Sequence, residues 1–152
     1  MTQTLKSPKI FYYLKKSYVK LKISNNSIKM NKIEHLAYLF ATMMDSDGKV
    51  NTKELTSWYQ IVEKRWPEVP KENAGNALKN ALYSLKSQNQ ADRINNLEKV
   101  LEYLKFNLQR SDLDHLAKDL SKMIQADGLI AIGEINLAGL LKWKLGLDIN
   151  FN

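Results

Sequence analysis

Five carboxylates surround two Asp-Gly pairs, four of them at matched positions. They are Asp45, Asp47 and Glu54 in "MMDSDGKVNTKEL" (43–55), and Asp127 and Glu134 in "MIQADGLIAIGEI" (123–135). Oxygens gathered in this number would suit a hard divalent cation such as Ca, Mg or Mn, which offsets their mutual repulsion. With Gly48 set at position six of an EF-hand loop, Asp45 falls at three, Asp47 at five, Val50 at eight and Glu54 at twelve. Position one is Met43, and Met123 in the second copy, where a calcium loop needs an oxygen; the second copy also has Gln125 at position three. A complete EF-hand is therefore not expected. A second reading needs no metal: Asp47-Gly48 is a turn signal, and Asn51 with Glu54 three residues on has the form of a capping box opening a helix. Both readings stand on the sequence, and the metal reading places most of the ligands in the first copy.

Other catalytic chemistry has little to build on. Cysteine is absent, which removes thiol nucleophiles, disulfides and thiolate metal sites. No nucleophile elbow or phosphate loop occurs, so the chain does not read as an enzyme. An acid-base role for the carboxylates would need a cleft that desolvates Asp47 or Glu54. His35 precedes Asp45 by ten residues, about 15 Å along a helix, too far to share a site within one unit. It and its counterpart His115 are expected to pack or hydrogen-bond at equivalent places.

The two Asp-Gly segments belong to a longer echo. A shift of 80 residues aligns 33–55 with 113–135 without a gap, and seven of 23 positions are identical: His35, Leu36, Ala37, Met43, Asp47, Gly48 and Glu54 with their counterparts. Each copy is an apolar helix, a turn and a second helix. Apolar residues recur at threes and fours at Ile33, Leu36, Ala37, Phe40, Met43 and Met44, then at Leu55, Trp58, Tyr59, Val62 and Trp66. Further stripes run from Ala74 to Leu85 and from Ile94 to Leu108, and no run alternates with period two. The expected fold is all-α: a single-domain bundle of about seven helices, with two helix-loop-helix units related by a pseudo-twofold and residues 71–110 completing the core.

The chain's 152 residues suit one domain, and no stretch reaches the roughly 18 apolar residues of a membrane span. A cytoplasmic location, peripheral to a membrane if the arm lies on one, fits this composition. The net charge of +7 is confined to one end. Residues 1–33 carry eight lysines and no acid, while the remainder carries 15 basic and 16 acidic groups. We therefore divide the chain into a basic arm, 1–32, and a charge-balanced domain, 33–152. In the arm Ile10, Leu14, Tyr18 and Leu21 share one face of an expected amphipathic helix over Phe11–Lys22. Such a helix packs on the body, or offers Lys15, Lys16, Lys20 and Lys22 to an anionic membrane surface or an acidic partner. Nucleic acid is disfavoured as a partner because no recognition motif accompanies the charge.

The duplicated D-G-x-[VI]-x-x-x-E, carried by "DSDGKVNTKEL" and "QADGLIAIGEINLAGLLKWKLGLD", resembles the tellurite-resistance TerB-like family in motif, spacing and length over residues 33–148. The resemblance implies a helical stress-response protein whose acidic loops bind divalent metal and which works beside membrane-associated partners. The second loop departs from that pattern, since Gln125, Ala131, Ile132 and Gly133 supply no carboxylate. A metal-free interaction scaffold is the alternative, with Trp66, Trp143 and Phe151 as candidate anchors.

Overall fold

A computed structural model of the chain describes residues 31–47, 50–127 and 132–151, apart from the side chains of Asp47, Ala126 and Asp127. The arm and its expected helix over Phe11–Lys22 lie outside the described residues. The chain divides into Met1–Asn31 and Lys32–Asn152, and every described helix belongs to the second unit.

Six helices occur among the described residues, with no strand: α1 (Lys32–Met44), α2 (Thr52–Arg65), α3 (Lys71–Ser87), α4 (Gln90–Asn107), α5 (Arg110–Asp127) and α6 (Ile132–Leu145). The expected count of about seven is not reached among the described residues. A 3-10 turn, Asp45–Asp47, follows α1 directly.

Local chemistry accounts for most of the boundaries. The capping box of α2 is formed on both sides: the Glu54 amide donates to Asn51 Oδ1 at 2.9 Å, and the Asn51 amide donates to Glu54 Oε1 at 3.1 Å. Two orphan amide donors of the first turn are thereby satisfied. Lys64 and Arg65 end α2 with positive charge beside the negative pole of its dipole. Pro70, extended at φ −61° and ψ 144°, stands immediately before α3. Asn89 caps α4, its side chain accepting from the Asp92 amide at 2.8 Å. Gly146 ends α6 in the left-handed region at φ 69°, and its amide donates to the Lys142 carbonyl at 2.9 Å. A side chain at that φ would be strained, which is the reason glycine serves there.

The core is organised around α1. The stripe read from the sequence is buried, but Tyr38, Leu39 and Ala41 are buried with it, so α1 is enclosed on every side rather than amphipathic. It packs against α3, α4 and α6. Phe40 and Trp58, both fully buried, meet with ring centroids 5.3 Å apart. Trp58 also donates Nε1–H to the Ala74 carbonyl at 2.9 Å, tying α2 to α3. Arg65 and Asp119 join α2 to α5 through two bonds of 3.0 and 3.1 Å.

Tyr38 gives the core a measurable response to alkali. Its hydroxyl donates to Gln88 Oε1 at 2.8 Å, and burial pushes its pKa up from 10 to about 12. The neutral phenol is the form the fold prefers, so this contribution is complete below pH 10 and is lost as pH rises through the folded value near 12. Two pKa units correspond to about 2–3 kcal/mol. Denaturant titrations between pH 9 and 12 are expected to show that loss in the wild type, and Tyr38→Phe should flatten it while costing about 1 kcal/mol at neutral pH for the hydrogen bond.

Candidate functional site

The first loop is built from the end of α1 and the start of α2. Asp45 does not point into an open cluster. Its carboxylate is paired with Arg93 from α4, Nη1 to Oδ2 at 3.2 Å, and the same guanidinium donates to the Leu85 carbonyl through Nε at 2.9 Å and Nη2 at 2.5 Å. Ser46 donates its hydroxyl to the Met43 carbonyl at 2.7 Å. The main-chain oxygen at position one of the would-be calcium loop is thus already an acceptor. Val50 packs half-buried against the core, and Glu54 is engaged with the N-cap.

The second loop begins at the end of α5. Gln125, at the place equivalent to Asp45, donates Nε2–H to the Asn150 carbonyl at 2.9 Å. Asn150 in turn donates its amide to Ser121 Oγ at 2.8 Å, so the C-terminal strap lies along α5. Position three of each loop is therefore tied to a distant segment, Arg93 in one case and the C-terminal strap in the other. Glu134 occupies the place in α6 that Glu54 occupies in α2, and the two are almost equally buried, 6% and 7% exposed.

The two helix-loop-helix segments also adjoin where the first loop meets α6. A Cβ built on Gly133, at the start of α6, would lie 2.8 Å from the Ser46 carbonyl oxygen and 2.9 Å from Ser46 Cβ. The 3-10 turn of the first loop is thus seated on the N-terminus of α6. This contact also makes a prediction of sign. Gly-to-Ala inside a helix ordinarily stabilises by about 0.5–1 kcal/mol. Gly139, where an added Cβ would meet nothing within 4 Å, should behave that way. Gly133→Ala should instead destabilise, by roughly 1–3 kcal/mol, because the obstacle is backbone and the turn must shift. Thermal melts of both variants check the pair.

Among the described residues, no three His, Asp or Glu side chains are gathered so as to hold a metal. The side chains of Asp47 and Asp127 lie outside them. Of the other three proposed ligands, Asp45 is in its ion pair and Glu54 and Glu134 are buried at their helix starts. The histidines part company. His35 stacks flat on Tyr103, with ring centroids 3.6 Å apart and an interplanar angle of 7°, whereas His115 is exposed on α5, contrary to the expected equivalence. A cleft of about 420 Å³ between α4 and α6 is lined by Glu98, Lys99, Glu102, Lys105, Phe106 and Lys144, and neither Glu54 nor Glu134 borders it.

Comparison with protein-family models, with curated proteins and with solved structures finds no match to this chain.

The feature that sequence reasoning missed is on the outside of α6. Ile132, Ile135 and Trp143 are 76%, 50% and 74% exposed. With Gly139 they fall at i, i+3, i+7 and i+11, along one side of the helix. The opposite side, Leu137, Ala138, Leu141 and Leu145, faces the core. The helix is apolar nearly all round, a pattern that ordinarily means burial on every side. Of the three candidate aromatic anchors, Trp143 is the one on this face; Trp66 and Phe151 pack against the core half-buried.

Proposed function

We propose that the domain is a non-enzymatic helical interaction module of the TerB-like kind, engaging another protein chain through the outer face of α6. The observation that carries this reading is the exposed line of Ile132, Ile135 and Trp143 on the outer side of α6, where Asn136 and Lys142 are the exposed polar neighbours. Exposed aromatic and aliphatic groups in register are what a partner desolvates. The first loop supports it from another direction, because Asp45 and Glu54 already serve the fold as ion-pair partner and cap. The resemblance adds the setting, a cytoplasmic stress-response protein beside membrane-associated partners.

Replacing Ile132, Ile135 and Trp143 by Gln tests this. A docking face predicts an unchanged melting temperature, since exposed side chains contribute within about 0.5 kcal/mol each. It also predicts loss of the cross-links that the wild-type chain makes to other chains in cells. Unfolding of the variant, or unchanged cross-linking, would reject it.

A second reading is favoured by the seating of the first turn on α6 at Gly133. In it the two Asp-Gly loops face each other across the pseudo-twofold, and Asp45, Asp47, Glu54, Asp127 and Glu134 share a divalent cation. Calorimetry with calcium, magnesium and manganese is its test: binding heat abolished by Asp47→Ala with Glu54→Ala supports it, and no heat with wild type rejects it.

A further inference from the structure

We infer that the occupant of the α6 face is a second copy of this chain, packed antiparallel about Gly139; the inference rests on the docking reading above. The pattern of the stripe is self-complementary. Ile135 lies four residues before Gly139 and Trp143 four residues after it. A twofold axis through Gly139 therefore sets Ile135 of each copy against Trp143 of the other, and Ile132 against the helix-ending Gly146. That is the isologous arrangement a closed dimer requires. Gly139, with nothing within 4 Å of a would-be Cβ, leaves the centre of the face low enough for two helices to meet closely.

Charge points the same way. A strongly charged face would repel its own copy and select an oppositely charged partner. The two lysines beside the stripe are each paired within the chain at the surface, Lys142 with Asp148 at 2.6 Å and Lys144 with Glu98 at 3.7 Å, and the Lys144 ammonium also stands 4.5 Å from the Trp143 ring centroid. The face thus offers no net charge for an acidic or basic partner to match, and it meets a copy of itself without like-charge repulsion. Antiparallel packing also lays each positive helix start beside a negative helix end.

Area sets the strength. One tryptophan, two isoleucines and their surroundings on a single helix fall short of the roughly 800 Å² per partner of a stable interface. The dimer is therefore a weak, transient one.

Sedimentation velocity on the full chain tests this from low micromolar to about 500 μM, a range in which even a weak association changes the populated mass. The weight-average mass should rise from 17.5 kDa toward twice that value. Ile135→Glu and Trp143→Lys should each weaken association at least tenfold alone. Mixed together they should associate again, because the twofold brings the new carboxylate against the new ammonium and leaves the other Ile135–Trp143 contact intact. Far-UV helicity and melting temperature of each variant establish that it folds. A wild-type monomer at the highest concentration overturns the inference, and so does a mixture as weak as the single variants, which would mean another face or register. If the wild type is monomeric but the Gln variants still lose their cross-links to other chains, self-association alone has failed. If neither property responds, the docking reading has failed too.

Discussion

Asp119→Ala is expected to lower the stability of the domain by about 3–5 kcal/mol, measured as the shift of a urea midpoint at constant slope. Asp119 is 8% exposed and Arg65 16%, and the two bonds between them are bidentate. The hydrogen bond to Asp119 holds the Arg65 pKa above its ordinary value; with that partner removed the guanidinium still stays charged, because arginine's ordinary pKa already lies far above neutrality. The cost is that of a half-desolvated guanidinium left without a counter-ion, which exceeds the net worth of the pair. The double replacement Arg65→Met with Asp119→Leu separates the two quantities. It should recover most of the loss, because the ions are exchanged for apolar groups of similar volume. A double variant as unstable as the single one would mean that the pair itself, rather than the orphaned charge, holds α2 on α5.

Trp58→Ala is expected to be of similar size, about 3–5 kcal/mol, for a different reason. The indole is fully buried between α1 and α3, so its loss opens a large cavity beside Phe40 and removes the bond to the Ala74 carbonyl. Trp58→Phe keeps an aromatic ring there and should cost roughly half as much. The comparison has a built-in control, because the position 80 residues later is Ala138, at the edge of the core and 9% exposed. Ala138→Gly should cost only about 1 kcal/mol, mostly through helix propensity.

The contrast between Trp58 and Ala138 shows what was legible beforehand. Helix identity and boundaries depend on neighbours a few residues apart. That is why α2 and α6 run over 52–65 and 132–145, an offset of 80 at both ends, and why the Asn51–Glu54 box could be read directly. Helix environment depends on what the bundle brings up from far along the chain. The apolar stripe of α1 was visible, yet its enclosure on all sides depends on α3, α4 and α6. The ion pair between Asp45 and Arg93 spans 48 residues and follows no periodicity, so a loop that reads as a cluster of free carboxylates has one of them already matched. Likewise His35 and His115 each open the same His-Leu-Ala tripeptide, but among the described residues only His35 has a tyrosine ring laid against it. In α6 the sequence promised an apolar helix, and only the packing revealed which of its apolar residues the core leaves outside.

The enclosure of α1 bears on the order in which the molecule can be made. During synthesis α1 emerges ahead of every helix that covers it, and α6, the last of its neighbours, follows about ninety residues later. At translation rates of roughly 5–20 residues per second that interval lasts several seconds. For that time "LAYLFATMM" is an apolar segment whose cover is incomplete, with α3 and α4 following it before α6, and it is prone to sticking to whatever nascent chain or chaperone is nearby. Variants that slow the docking of α3 on α1 should therefore show their defect in soluble yield before they show it in the stability of the finished protein.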